Sequence, residues 1–496
     1  MPFPFLPGNA AWEAAFFYGE RALFSKRAII SHKDFFRATR FPCREGWTSM
    51  TKLFSLLLLH VPRGLLILVG FALFMLAGAF LLMLPAAQTG VREISFVDAL
   101  FTSVSAVSVT GMSLINMQTD LTLTGQLIML FMIQVGGLGI MTIMALMGIS
   151  TGRRLRLQER LLISDSFNMQ TPSGMVLLVR KIVWMTFFIE FIAGTLLAVR
   201  FYQEIGWIGV YYGYWHAVSA FCNAGLDLFG GGSFSPFAQD PFVCIVVVVT
   251  MILGGIGFVV IDDVARNRGW KRLSLNSKMV ITAETAFTIF GAVVFYAMDR
   301  DNPMTMGEMN PGMEVLNSLF MSVSSRTAGF TTFDIADVAI STQLFVMFLM
   351  FTGSAPVSTG GGVRTTTMMI LFLSVLSWIR GREDVVIFHK KIAESYIIKS
   401  FHIFTLSFFL TFLTAFLLLI FDTHHLELES VLFESVSAFS TVGFSVGLTG
   451  EWNDICKMIL IMAMFIGRIG VMTLVITFAD RQQGRIKYPT EKVIIG

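Results

Sequence analysis

Between Gly64 and Leu84 the chain carries no charged residue, and the same holds from Leu121 to Gly152, from Phe242 to Ile261 and from Ser400 to Phe421. Each run reaches or exceeds the ~20 residues with which an α-helix crosses ~30 Å of hydrocarbon. Ile182–Val199, Met279–Met298 and Met458–Phe478 qualify as well, apart from one charge each, Glu190, Glu284 and Arg468. The overall charged fraction of 14% is far below the roughly 25% of a soluble domain. The sequence is that of a multi-pass α-helical membrane protein.

The net charge of +3 is spread over loops and forms no basic tract, so nothing points to nucleic acid. Segments Arg153–Lys181, Asp262–Lys278, Ile379–Lys399 and Asp480–Gly496 hold 6, 5, 5 and 4 Lys/Arg, while the intervening loops are mainly acidic. The positive-inside rule makes these segments, and the basic stretch before Gly64, cytoplasmic. Both termini are then expected inside the cell's inner or plasma membrane. The four cysteines show no CxxC spacing, so neither a disulfide framework nor a zinc site is indicated. His424 and His425 read as part of a solvated external loop. The first 60 or so residues contain no secretory h-region and are expected to be cytoplasmic or interfacial.

A phrase recurs four times: SVSAVSVTGMS (Ser103–Ser113), WHAVSAFCNAGLDLF (Trp215–Phe229), LFMSVSSRTAGFTTFD (Leu319–Asp334) and SVSAFSTVGFS (Ser435–Ser445). Their glycines, Gly111, Gly225, Gly329 and Gly443, stand 114, 104 and 114 residues apart, and the third phrase is one residue shorter before its glycine. Around each, a span is followed by about a dozen moderately apolar residues, the glycine, a short polar segment and a second span. A dozen helical residues cover only about 18 Å and must enter and turn back. The fold expected is all-α: eight spans plus four re-entrant pore helices, four span–loop–span repeats around a pseudo-fourfold central pore. The boundaries are 1–63 for an N-terminal segment, 64–152, 153–262, 263–378 and 379–479 for the repeats, and 480–496 for a tail.

Non-helical backbone at membrane depth survives only inside protein or along a water-filled cavity. Rings of backbone carbonyls replace the hydration shell of a cation in selectivity filters. Glycine allows the required backbone angles and leaves the axis free of side chains. The candidate filter is Val109, Thr110 and Gly111; Asn223, Ala224 and Gly225; Thr327, Ala328 and Gly329; and Thr441, Val442 and Gly443. The carbonyls of Thr110, Asn223, Thr327 and Thr441 are the expected ligands of the cation. Ser108, Thr110, Asn223, Thr327, Ser440 and Thr441 are expected to brace the loops, and the pore-helix C-termini add partial negative charge.

The second span of repeat three, Ser341–Trp378, would be about 57 Å long as one helix. Its middle, TGSAPVSTGGGVRTTT (Thr352–Thr367), is rich in glycine and hydroxyl groups. It is a candidate gate, with Gly353, Gly360, Gly361 and Gly362 as its flexible points. Arg468 falls near mid-membrane, where it needs carbonyls or a carboxylate, and either latches this segment or bridges it statically. Glu190 and Glu284 read as packing partners or near-surface groups, not ion ligands, and Arg326 as a brace behind the filter with Glu434 as its partner. The glycine triplets of QVGGLGI (Gln134–Ile140) and MILGGIGF (Met251–Phe258) read as close helix packing. No nucleophile, metal set or acid/base pair suggests an enzyme.

The four loops, the interrupted GSAPVSTGGGVRTTT and the late GRIG resemble the Trk/Ktr/HKT superfamily of potassium and sodium translocating subunits over about Arg63–Gly496. The absence of extra spans before the first repeat is more similar to the bacterial KtrB branch than to the longer TrkH branch. The resemblance implies a homodimer, each protomer with its own pore, and a separate cytoplasmic ring of RCK (KTN) subunits that binds nucleotide. It implies that the cation held by the filter carbonyls is K+, that Gly111 accompanies potassium selectivity, that the interruption is the intramembrane gate loop and that Arg468 is the family's late arginine. Sodium permeation by the same fold is the nearest alternative. A secondary solute carrier with a broken helix is a more distant one.

Overall fold

The computed structural model describes residues 63–139, 142, 175–230, 233–422 and 426–478. The expectations for residues 1–62, 143–174 and 480–496, and for His424 and His425, lie outside the described residues.

Repeat one comprises α1 (Arg63–Leu82), the pore helix α2 (Phe96–Ser108) and α3 (Leu123–Leu138). Repeat two has α4 (Met175–Ile205), the pore helix α5 (Trp207–Cys222), α6 (Pro241–Gly255) and α7 (Phe258–Arg266). Repeat three has α8 (Leu275–Asp299), the pore helix α9 (Pro311–Thr327), α10 (Ile340–Phe351) and α11 (Thr365–Ile379). After a small antiparallel hairpin, β1 (Val386–Ile387) with β2 (Lys390–Lys391), repeat four has α12 (Glu394–Phe421), the pore helix α13 (Leu428–Ser440), α14 (Asp454–Ile469) and α15 (Val471–Phe478). Thr122, Asp240 and Asn453 cap the second spans α3, α6 and α14 by accepting from their first-turn N–H groups, the usual remedy for orphan donors at a helix start.

The first span of every repeat is an unbroken apolar helix of 19 to 29 residues. Sequence reasoning expected one interrupted second span; in the structure each second span ends or bends partway. α3 stops at Gly139 (φ 81°, ψ 135°), α6 turns by 95° into α7 at Gly257 (φ 92°, ψ 134°), and α14 gives way to α15 at Gly470 (φ 86°, ψ 133°). The three angle pairs are nearly the same, in a region that side chains rarely enter. The signal was present as G-x-x-G in GGLG and GGIG, read for their packing, and in GRIG, read for its arginine, and in none was it read as a break.

The packing reading applies to the first glycine of each motif. A Cβ on Gly136, Gly254 or Gly467 would collide with the pore-helix carbonyl of Val107, Phe221 or Phe439 respectively. Each pore helix also packs against the second span of the preceding repeat: α5 on α3, α9 on α6, α13 on α10, and α2 on α14, where Lys457 Nζ donates to Asp98 at 2.8 Å. The last contact closes the circle. The pore helices are buried in the middle, while Phe408, Phe409, Phe412 and Phe416 of α12 and Phe187, Phe188 and Phe191 of α4 are exposed. An apolar exterior around a core rich in serine and threonine is the pattern of a helical bundle in lipid.

Gly254→Ala is expected to lower the thermal unfolding midpoint in detergent, by the few degrees that about 1–3 kcal/mol of overpacking produces. Gly70→Ala, where a Cβ has no neighbour within 4 Å, should leave the midpoint unchanged or raise it slightly. Equal midpoints for the two variants would remove the close-packing argument.

Candidate ion pathway

The pore helices end in a shared way. Val109 N donates to Ala106 O and Thr110 N to Ser105 O at 2.9 Å; Asn223 and Ala224, and Thr441 and Val442, repeat this pair of bonds. The hinge residue is left-handed in all three: Val109 (φ 58°), Asn223 (φ 58°) and Thr441 (φ 53°). This conformation costs an L-residue about 1–2 kcal/mol and is most unusual for β-branched valine and threonine. In repeat three the residue missing before the glycine removes this hinge. Thr327 stays helical and Ala328 N and Gly329 N both reach Ser324 O.

The turns deliver four glycines to one place, all at positive φ: Gly111 (107°), Gly225 (65°), Gly329 (72°) and Gly443 (95°). A Cβ on Gly111 would lie 2.9 Å from the Ala224 carbonyl oxygen, and one on Gly225 2.7 Å from that of Ala328. Likewise Gly329 faces the Val442 carbonyl, and Gly443 that of Thr110. Loop one thus meets loop two, two meets three, three meets four and four returns to one. The level of Thr110 is shared by Ala224, Ala328 and Val442; Asn223, Thr327 and Thr441 stand one residue earlier, level with Val109.

The residues that brace these loops are only in part those expected. Ser108 and Thr110 hydroxyls do pair at 2.6 Å, and Asn223 meets Thr359 at 3.0 Å, but the hydroxyls of Ser440 and Thr441 have no hydrogen-bond partner among the described residues. The common brace is a buried serine five or six residues before the glycine. Ser105 and Ser437 Oγ accept the N–H of Gly111 and Gly443, both at 3.1 Å, while Ser219 and Ser324 Oγ donate to Leu226 O and Phe330 O at 2.7 and 2.5 Å. The available signal was S-V-S in repeats one, three and four and A-V-S in repeat two.

Beneath the ring lies the interruption, which spans Thr352–Arg364; Thr365 and Thr367 already belong to α11. Its backbone bonds go to protein: Ala355 N to Gly255 O at 3.2 Å, Thr359 N to Gly254 O at 3.3 Å, and Val357 O from Phe258 N at 3.0 Å. A Cβ on Gly360 would lie 2.6 Å from the Thr327 side chain, one on Gly361 would meet Thr441, and one on Gly362 would be 3.3 Å from Ser440 O. Gly353 packs on Gly361 and Gly362 of the same loop. Loop and ring are therefore in direct contact.

Arg468, from repeat four, donates to Thr359 O in this loop and to Gly136 O in repeat one. Arg364 Nη1 donates to Gly360 O at 2.6 Å and to Ser354 Oγ at 3.3 Å. Both guanidinium groups border a cavity of about 200 Å³ that no carboxylate lines among the described residues. Arg326 pairs with Glu284, not with Glu434 as expected; Glu284 also accepts from Thr365 Oγ1 at 3.0 Å. The reason is geometric. Arg326 sits at the C-terminal end of α9 beside α8, whereas Glu434 lies two turns back on α13 and accepts from Ser445 and Val446. Glu190 is a packing partner, taking Gln134 Nε2 at 3.2 Å.

Four span–loop–span repeats closed into one ring, with a glycine-rich loop directly beneath, define a membrane transport protein of four-repeat pore architecture. A model of the TrkH family, described as cation transport protein, matches residues 73–487, and the chain belongs to that family. Ktr system potassium uptake protein B of Bacillus subtilis strain 168 is 37% identical over 86% of this chain and 95% of its own length. Potassium/sodium uptake protein NtpJ of Enterococcus hirae is 32% identical over 87% and 96%. The crystal structure of the potassium transporter TrkH from Vibrio parahaemolyticus matches with a TM-score of 0.68 over 85% of this chain and 86% of that one, at 18% identity, a likeness of fold.

Glu284→Ala strands a guanidinium whose side chain is 5% exposed and is expected to cost about 3–5 kcal/mol. Adding Arg326→Met should restore most of the loss, because the charge left unpaired is then gone. A double-mutant cycle on thermal stability in detergent checks this, and a double variant no more stable than Glu284→Ala refutes it.

Proposed function

We propose that the chain is the pore subunit of a potassium uptake system, passing dehydrated K+ through the carbonyl ring at Thr110, Ala224, Ala328 and Val442. The observation that carries this reading is the closed circuit of four glycines, each set against the carbonyl of the next loop. It leaves oxygens, not side chains, at the point of closest approach, the arrangement that replaces a cation's hydration shell. The left-handed Val109, Asn223 and Thr441 aim the chain into that ring, and the pore-helix C-termini favour a cation. Relatives named for potassium uptake support the ion assignment. The relative named for potassium and sodium supports sodium permeation as the second reading.

The gate of this proposal is Thr352–Arg364, with Gly353, Gly360, Gly361 and Gly362 as its mobile points and Arg468 as its latch. Arg468 ties the loop of repeat three to the helix end of repeat one across the path, and two guanidinium charges beside the cavity oppose a passing cation. The basic segments face the cytoplasm, with both termini inside. The name Ktr system, borne by a relative, speaks for further components; the reading adopts a homodimer and a cytoplasmic nucleotide-binding RCK ring that works the gate.

Uptake into liposomes with potassium, rubidium and sodium compared tests the whole reading. Gly111→Ser is expected to lower the potassium-to-sodium preference about tenfold while the protein stays folded, and an unchanged preference counts against the filter. Charge-assisted hydrogen bonds are worth about 1.5–3 kcal/mol, so Arg468→Ala should raise rubidium uptake without regulator roughly ten- to a hundredfold. Uptake no faster than the parent's makes Arg468 a static bridge.

A further inference from the structure

Three residues before each bracing serine stands Thr102, His216, Met321 or Glu434, and three residues after each ring glycine stands Leu114, Leu228, Thr332 or Val446. In two repeats these positions are joined. His216 Nε2 accepts the N–H of Leu228 at 3.2 Å; Glu434 Oε1 accepts the N–H of Val446 at 3.2 Å and the hydroxyl of Ser445 at 2.5 Å. In the other two, the hydroxyls of Thr102 and Thr332 have no hydrogen-bond partner among the described residues, and Met321 offers only a weak sulfur acceptor.

Both bracing groups are fully buried. The His216 ring stacks on Phe229 at 4.3 Å with Trp215 and Phe234 around it, and its Nδ1 lies 2.7 Å from Tyr212 O. A carbonyl only accepts, so Nδ1 carries the proton and Nε2 is left as the acceptor that Leu228 uses. An imidazole and a carboxylate thus perform one task at one register position. Because the glycines follow one another around the ring in chain order, loops two and four lie across it from each other.

We propose that His216 and Glu434 are positioning residues that hold opposite sides of the carbonyl ring at fixed separation and thereby set its ion preference. The inference rests on the reading of the ring as an ion filter. A loop whose buried N–H has lost its acceptor turns toward another partner, and its carbonyls move with it.

The full chain in liposomes, loaded by rubidium uptake against competing sodium, gives the test. Glu434→Leu and His216→Phe are each expected to reduce the rubidium-to-sodium preference five- to tenfold. Glu434→Gln and His216→Gln, which keep an acceptor oxygen near the same place, should return it to within twofold of the parent. Met321→Leu, the same kind of change at the unbraced position of repeat three, should not move it. Should Glu434→Leu fail to fold, Ser445→Ala removes one donor from the same carboxylate and should lower the preference two- to threefold. Parental preference in Glu434→Leu and His216→Phe, or in Ser445→Ala where it replaces the former, overturns the proposal, as does an equal shift in Met321→Leu. If Gly111→Ser shifts the preference while these variants do not, only the brace is wrong; if none shifts it, the filter reading falls too.

Discussion

Non-helical backbone buried in an apolar body governs this structure. Lipid offers no partner to an N–H or C=O, so each of the four loops and the interruption beneath them must find theirs inside the protein. The solutions are visible residue by residue. The bracing serines take up the backbone after each pore helix, Gly254 O and Gly255 O take the N–H groups of Thr359 and Ala355, and two arginines donate to the carbonyls of Gly360 and Thr359. The small residues follow from the same constraint, since a Cβ at Gly136, Gly254 or Gly467 would push the second spans off the pore helices and open the loops they support.

This explains why so much was legible and why the rest was not. Span length and charge depletion follow from the thickness of hydrocarbon, and they are written in composition. The four glycine phrases are repeats, so their register showed where the loops fall. What escaped was geometry finer than hydropathy. Gly139, Gly257 and Gly470 sit within continuous apolar runs, and nothing in hydrophobicity separates a glycine that packs from one that breaks a helix. The pairing of Arg326 was missed because Glu284 and Glu434 are equally plausible by charge, and only the depth of each on its helix decides. The ring glycines face the carbonyls of Ala224, Ala328 and Val442 besides that of Thr110, and the left-handed hinge that turns three of the loops is occupied by valine, asparagine and threonine, none of which announces it.

The four repeats share a plan but not a chemistry. Three residues before the ring glycine stand Ser108, Cys222, Arg326 and Ser440. The arginine falls in the repeat that has lost one loop residue, has no left-handed hinge and carries the interruption. A charge there needs a counter-charge, and Glu284 on α8 supplies it. Glu284 also holds Thr365, the first residue of α11 after the interruption. One carboxylate therefore joins the end of pore helix three to the far end of the loop.

The consequence is mechanical. The near side of that loop presses on Thr327 through Gly360 and on Thr441 through Gly361, and its far side is tied through Thr365 and Glu284 to Arg326, the neighbour of Thr327. Both ends of this circuit meet the third loop of the ring, and the near side meets the fourth as well. Packed interiors switch between discrete arrangements instead of deforming smoothly, so any displacement of a loop held at these points would disturb the contacts together. The symmetric part of the fold builds the ring, and the repeat that departs furthest from symmetry carries the contacts by which the segment below is joined to it.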